Sequence, residues 1–342
     1  MERTGAGVRS AVAEFDLRRL GAGRTLVFCA LIYSAAAFAV APWDYLALAK
    51  VYLHHFGFFV PALALPLLVA APFLDRRRPF SGMVELMRRS AGPLATFIVL
   101  SILFLAGFTT FKLNIPHLVP FYADPMLATL DEWIHAGPPW ARLHAIDPGW
   151  FTTLTELVYM TLWFFQWFAV ALFAAFNWHD RRHQRYLWAL ALTIIIVGTV
   201  LATAFSSVGP VFYGDFFDDG RFAGLTSLLD QKNSLVPYYS GYLLENFRNG
   251  TPALGTGISA MPSVHVAVAT LNALYLSSFG RWQGVVGWTF ALLILLCSVY
   301  TGWHYALDGY LSMLVVGVIW RRTRFLAGRP VQALSSISQS SG

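Results

Sequence analysis

Apolar residues in this chain do not alternate with polar ones. They come in long unbroken runs near 25–43, 56–74, 92–111, 151–177, 186–208, 263–279, 284–303 and 306–320, each nearly free of charge. A helix rises 1.5 Å per residue, so about 20 apolar residues span a bilayer's hydrocarbon core. In that solvent every backbone N–H and C=O must be paired within the protein, which makes continuous runs of this length helices. The pattern predicts an all-α fold: a polytopic membrane helical bundle of about eight transmembrane helices.

The polar breaks orient that bundle. Eighteen of the 21 arginines lie at 3–24, 76–89, 181–185, 281 and 321–329, all on one side if the spans alternate. Arg142, Arg221 and Arg248 and the three lysines, Lys50, Lys112 and Lys232, fall on the other side. The positive-inside rule then puts both termini in the cytoplasm. The expected organisation is a cytoplasmic tail over 1–24 and three N-terminal transmembrane helices over 25–111. A catalytic transmembrane domain follows over 112–320, with two long outer loops at 112–150 and 209–262, and a second cytoplasmic tail covers 321–342. The first tail has no apolar core of the kind a signal peptide carries, and the serine-rich end from Ser335 is expected to be disordered. Within the first outer loop, Leu130 to His135 reads as a short interfacial helix. Long loops over a membrane site often act as lids or gates.

Composition supports this picture. The 342 residues are 57% hydrophobic and 12% charged, against about 25% charged in soluble domains. The net charge of +6 is accounted for by the arginine anchors, which leaves nucleic acid no role as a partner. Cys29 and Cys297 both sit inside apolar runs, so no disulfide framework is expected.

Ionisable groups at the ends of such runs are candidates for function, because a charge at bilayer depth costs roughly 2.5–3.5 kcal/mol on insertion scales. Two clusters qualify: Met261-Pro262-Ser263-Val264-His265, and His304-Tyr305-Ala306-Leu307-Asp308. His304 and Asp308 are one helical turn apart, where a carboxylate can fix a histidine's tautomer and stabilise its charge. Pro262 suits the first turn of a helix, whose free N–H groups, with the Ser263 hydroxyl, form an anion site. With alternating spans, both histidines emerge at the same outer boundary. Two imidazoles and an anion pocket point to phosphoryl transfer: one attacks phosphorus, the other protonates the leaving oxygen. Such a pair predicts a bell-shaped pH profile. His54, His55, His117, His135 and His144 read as interfacial residues, and His179 and His183 belong to an arginine cluster. A transporter relay without chemistry is the competing class, but no mid-span acid and no inverted repeat with broken helices supports it.

Pro262-Ser263-x-His265 followed by His304-x-x-x-Asp308 resembles the second and third motifs of the type 2 phosphatidic acid phosphatase superfamily. The stretches Lys112 to Asp131, Ser207 to Tyr213, Gly257 to Ala269 and His304-Tyr305 with Asp308-Gly309 are most similar to its inositol phosphorylceramide synthase (inositolphosphotransferase) branch. The resemblance implies a membrane-embedded lipid phosphotransferase or lipid phosphatase that needs neither metal nor cofactor. His304 would form a phosphohistidine, Asp308 would orient it, and His265 would be the general acid. Ser263 and Lys112 would bind the substrate, a phospholipid or lipid phosphate. A lipid alcohol such as ceramide or diacylglycerol would be the acceptor in a transferase. A phosphatase would instead hydrolyse phosphatidate or a polyprenyl diphosphate. The implied location is the cell membrane, multi-pass, with the site on the extracytoplasmic side. Two family arginines are absent: Val119-Pro120 replaces Arg-Pro after Lys112, and Cys297-Ser298 replaces Ser-Arg before His304. Because guanidinium grips a dianionic phosphate bidentately, the losses favour a substrate of lower phosphate charge, unless Arg142, Arg221, Lys232 or Arg248 folds back to compensate.

Overall fold

The structure, a computed structural model, describes residues 24–74, 79–178 and 180–325. The two expected tails lie outside these residues, except for Arg24 and positions 321–325, as do Arg76, Arg77, Arg78 and His179. All regular structure among the described residues is helical. The helices are α1 (Arg24–Val40), α2 (Pro42–Leu74), α3 (Pro79–Leu118), α4 (Asp124–Ile134), α5 (Pro139–Ala145), α6 (Phe151–Phe176) and α7 (Arg181–Ala204). They continue with α8 (Tyr213–Phe217), α9 (Ala223–Gln231), α10 (Val236–Asn249), α11 (Val264–Ser277), α12 (Arg281–Tyr300) and α13 (Ala306–Thr323).

Among the described residues, four stretches are long and apolar enough to cross a membrane: Ala91–Leu118 of α3, and α6, α7 and α12. The other apolar runs of the sequence fall in α1, α2, α11 and α13. Of the last two, α11 is enclosed by protein, whereas α13 exposes Tyr310, Leu314 and Val318 along one face. In α11 every residue from Val266 to Ala273 is buried, and α11 packs against both α12 and α13. Small residues allow that closeness: a Cβ on Gly287 of α12 would come 2.7 Å from the Ala273 Cα. Close backbone approach through small residues is how helices associate where no aqueous hydrophobic drive operates.

Two apolar cores result. One fills the bundle and includes Tyr52, Trp163, Trp167, Tyr186, Leu271, Ile294 and Val316. The second is a cap built from the segments expected as outer loops, with Leu127, Phe212, Phe222, Leu225, Leu229, Ile258 and Tyr305. The expected interfacial helix is α4. It turns Asp124, Leu127, Ala128 and Asp131 inward and leaves Met126, Leu130, Trp133 and Ile134 exposed. The first expected loop also begins later than residue 112, because α3 runs on to Leu118 and carries Lys112 as a helical residue. Tyr305 belongs to the cap core, and Trp303 packs against both cores. The junction between bundle and cap is therefore where the His304 loop runs.

Candidate active site

His304 sits on the loop between α12 and α13. Its Nδ1 lies 3.1 Å from Asp308 Oδ2, which also accepts the Tyr305 N–H at 3.1 Å. Both side chains are almost wholly enclosed, at 7% and 0% exposure. A carboxylate accepts only, so Nδ1 carries the proton and the lone pair is left on Nε2. His265 lies in the first turn of α11, and its ring centre is 6.2 Å from that of His304. Ser263 caps α11, its Oγ accepting from the Val266 N–H at 3.3 Å, and its backbone carbonyl accepts the Ser312 hydroxyl on α13 at 2.8 Å. The two motifs are thus joined by direct hydrogen bonds.

Lys112 reaches this site from α3. It passes beneath Gly257 (φ +92), where a Cβ would meet the lysine's Cγ at 2.9 Å. No side chain larger than glycine fits there, and the positive φ suits glycine. Lys112 makes no hydrogen bond or ion pair among the described residues, and its charge is close enough to act on His265. The structure therefore gathers all five sequence-derived residues, His304, Asp308, His265, Ser263 and Lys112, at the junction.

The four cations considered as stand-ins for the missing arginines go elsewhere. Arg221 makes two hydrogen bonds to Glu132 at 2.8 and 3.1 Å, and Arg248 pairs with Asp215 at 3.3 Å. Arg142 donates to the Ala136 carbonyl, and Lys232 is held by Asp147, His144 and Tyr300. Val119 and Cys297 bring no charge. Each stand-in is tied to the cap or its edge by a nearer carboxylate or carbonyl, whereas Lys112 has no such partner among the described residues. No group of three or more His, Cys, Asp or Glu side chains placed to hold a metal ion occurs among the described residues.

Sequence reasoning missed the frame behind these groups. Asp124, at the start of α4, accepts the Val208 and Gly209 N–H groups at 2.9 and 2.8 Å and the Tyr305 hydroxyl at 3.0 Å. Asp131 accepts the Ala306 and Leu307 N–H groups at 3.3 and 3.1 Å, capping α13 from another helix. Burial holds both carboxyls above the usual carboxylate range, and these hydrogen bonds offset that rise only in part. The segment Ser206 to Gly209 ties the pieces together. Ser206 Oγ donates to the Val119 carbonyl, and Ser207 receives the N–H groups of Ala260 and Met261 through its carbonyl and hydroxyl. Gly209 (φ +90) presses so close to Trp303 that a Cβ would lie 2.6 Å from its carbonyl oxygen. The Asp124-Pro125 start of α4 was visible in the sequence, but nothing there indicated its partners.

Aromatic rings enclose His265. Tyr159 stacks on one side at 4.3 Å and 16°, and Trp163 lies at 3.9 Å while donating its Nε1–H to the His265 carbonyl. Both rings come from α6, where Leu157–Leu162 forms a π-helical turn; a second such turn, Ile196–Leu201, interrupts α7. Wide turns of this kind are frequent at functional sites. In α7 the turn contains Gly198, where a Cβ would come within 3.4 Å of Val264, the residue beside His265.

These features define a helical membrane protein with an enclosed two-histidine site. Residues 125–321, more than half of the chain, match the PAP2 superfamily, and the chain belongs to it. Members of that superfamily are phosphoryl-transfer enzymes of the lipid phosphatase and phosphotransferase type. No curated protein and no solved structure matches the chain.

Proposed function

We propose that this chain is a lipid phosphotransferase that works through a phosphohistidine on His304, passing a phospho-headgroup from a phosphodiester lipid to a lipid alcohol. The observation that carries the reading is the His304-Asp308 pair, with the centre of the His265 ring 6.2 Å from that of His304. With Nδ1–H donated to Asp308, His304 Nε2 attacks phosphorus. The bond from phosphorus to the leaving oxygen breaks, and His265 gives that oxygen its proton. In the second half His265 takes the proton of the acceptor hydroxyl, the acceptor oxygen attacks phosphorus, and the bond to His304 breaks. Lys112 and Ser263 bind the nonbridging oxygens.

The charge inventory supports a diester. In this reading Lys112 is the cation of the site and no guanidinium of the described residues joins it, which suits one negative charge better than two. The resemblance to the inositol phosphorylceramide synthase branch supports a ceramide or diacylglycerol acceptor. The same reading has eight spans, both termini in the cytoplasm and the site on the extracytoplasmic face. The arginines at the start of α7, the start of α12 and the end of α13 support it, since each lies at the helix end remote from His304.

Mass spectrometry of products from the purified protein and a His304→Ala control tests this. Phosphatidylinositol, phosphatidate and a polyprenyl diphosphate are each supplied with and without ceramide or diacylglycerol. A new phospho-headgroup lipid, formed only with an acceptor and absent from the control, is the expected result. Free phosphate without acceptor makes the protein a phosphatase. Near-normal turnover by the variant removes His304 as nucleophile.

A further inference from the structure

Tyr159 stacks on His265 but belongs to neither histidine motif. It lies in the π-helical turn of α6 and is 3% exposed. Buried tyrosine hydroxyls nearly always find a hydrogen-bond partner, and others in this molecule do. Tyr33 meets Thr199 at 2.6 Å, Tyr52 meets Thr109 at 2.6 Å, Tyr186 meets Asn272 at 2.7 Å, and Tyr305 meets Asp124 at 3.0 Å. Among the described residues, Tyr159 is the tyrosine whose enclosed hydroxyl has none. That hydroxyl belongs to a ring stacked on His265, with ring centres 4.3 Å apart and planes at 16°. The ring therefore forms part of the His265 side of the site. The Lys112 ammonium, whose stem packs against Gly257, also makes no hydrogen bond or ion pair among the described residues. Asp308 keeps one buried oxygen without a partner as well, but Tyr159 and Lys112 are donors, and unpartnered donors are what a bound anion would satisfy.

We propose that the Tyr159 hydroxyl donates a hydrogen bond to a nonbridging oxygen of the transferred phosphoryl group, alongside Lys112 and Ser263. This rests on the phosphoryl-transfer reading of His304. Tyr159 supplies a hydrogen bond where a guanidinium would supply a hydrogen bond and a charge. The pocket grips the group in the transition state without collecting the second cation that a phosphate dianion requires. Tyr159 thus contributes to selection of a diester over a monoester.

Tyr159→Phe keeps the ring and its stacking on His265 and removes only the donor, so the full-length protein in lipid nanodiscs serves for the test. Removing one donor aimed at developing charge costs on the order of 100-fold in kcat in other enzymes. Here kcat/KM on the phosphodiester lipid is expected to fall about 10- to 100-fold, and inhibition by orthovanadate, a mimic of the five-coordinate phosphorus, to weaken by a similar factor. Tm should not fall, because the lost hydroxyl bonds to nothing in the free protein. A kcat/KM within twofold of wild type, or a loss that tracks a fall in Tm with vanadate affinity unchanged, overturns the assignment. Wild-type protein that neither turns over nor traps phosphate on His304 overturns the underlying reading instead, so the two failures are told apart.

Discussion

His304 and His265 face each other across the same small space, yet their surroundings share almost nothing. His304 is held at Nδ1 by Asp308, and its own N–H bonds to the Ser298 carbonyl at 3.3 Å. The next residue, Tyr305, is tied to both Asp308 and Asp124. His265 makes no side-chain hydrogen bond among the described residues and rests between Tyr159 and Trp163. A carboxylate fixes which nitrogen bears the proton and makes the other a better nucleophile. An aromatic face fixes no tautomer, but it attracts a cation lying over it, by about 0.5–2 kcal/mol. In the proposed reading the first side chain attacks phosphorus and the second carries the proton. The type of partner, rather than the type of residue, distributes the roles.

Making the two surroundings alike is the sharpest way to break this comparison. Asp308→Asn leaves His304 in place but removes the charge that orients and stabilises its ring. By analogy with the serine-protease triad, where the equivalent change costs about 10⁴-fold, single-turnover formation of phosphohistidine is expected to fall by roughly 10³- to 10⁴-fold. The loss should be the same whatever the leaving group, because attack itself is impaired. A loss that vanishes with an activated substrate would mean that Asp308 serves the proton donor, and the assignment of the two histidines would reverse.

The complementary change is His265→Gln, with a smaller expected effect. General acid catalysis contributes about 10²- to 10⁴-fold, and its loss matters only when the leaving oxygen needs a proton. On the lipid substrate the variant should lose activity within that range. In single-turnover release of p-nitrophenolate from a p-nitrophenyl phosphodiester, whose leaving group departs unprotonated, most of the loss should disappear, while the second half-reaction stays slow. Equal losses on both substrates would remove His265 as the acid.

How much of this was legible in the sequence follows from the reach of the interactions. The helical, membrane character came from long apolar runs, and the His304-Asp308 pair from a one-turn spacing, both local signals. That His265 would approach His304 depended on alternating spans, and the direct hydrogen bonds between their motifs bear on it independently. The carboxylate frame was not legible. Asp124 acts on Val208, Gly209 and Tyr305, more than 80 residues away in each case, and no periodicity encodes such pairings. Tyr159 and Trp163 were hidden for another reason: 16% of the chain is aromatic, and nothing in the sequence distinguishes the rings that meet a histidine from those that meet lipid. Nor was the fate of Lys232 and the three outer arginines readable, because each found a partner on the cap or at its edge.

A third histidine supplies a control for the comparison. His144 has both kinds of neighbour, stacking on Tyr300 at 3.8 Å and lying 3.2 Å from Lys232, which is paired with Asp147. Yet every member of that cluster is satisfied by another, and the group joins the start of α6 to the end of α12 through the Thr152-Tyr300 hydrogen bond at 2.5 Å. It reads as a fastening. Burial alone would raise the Asp147 carboxyl, but the Lys232 ammonium and the Tyr300 hydroxyl outweigh it and hold the carboxyl down at about 2, against 3.8 for the free group. A depressed carboxyl contributes stability that is fully present above the unfolded value and is lost as pH falls through the folded one. Asp147→Asn should therefore lower Tm at pH 7 by a few degrees, with the gap to wild type closing as pH falls from about 4 to about 2. Activity per folded molecule, and the pH profile of turnover, should not move. A shifted activity profile in this variant would mean that the cluster speaks to His304 through the loop after Tyr300. The contrast between the two catalytic histidines would then need a third member. Partners that satisfy one another hold a fold, whereas in the proposed reading the groups left without partners near His265 are those a substrate would satisfy.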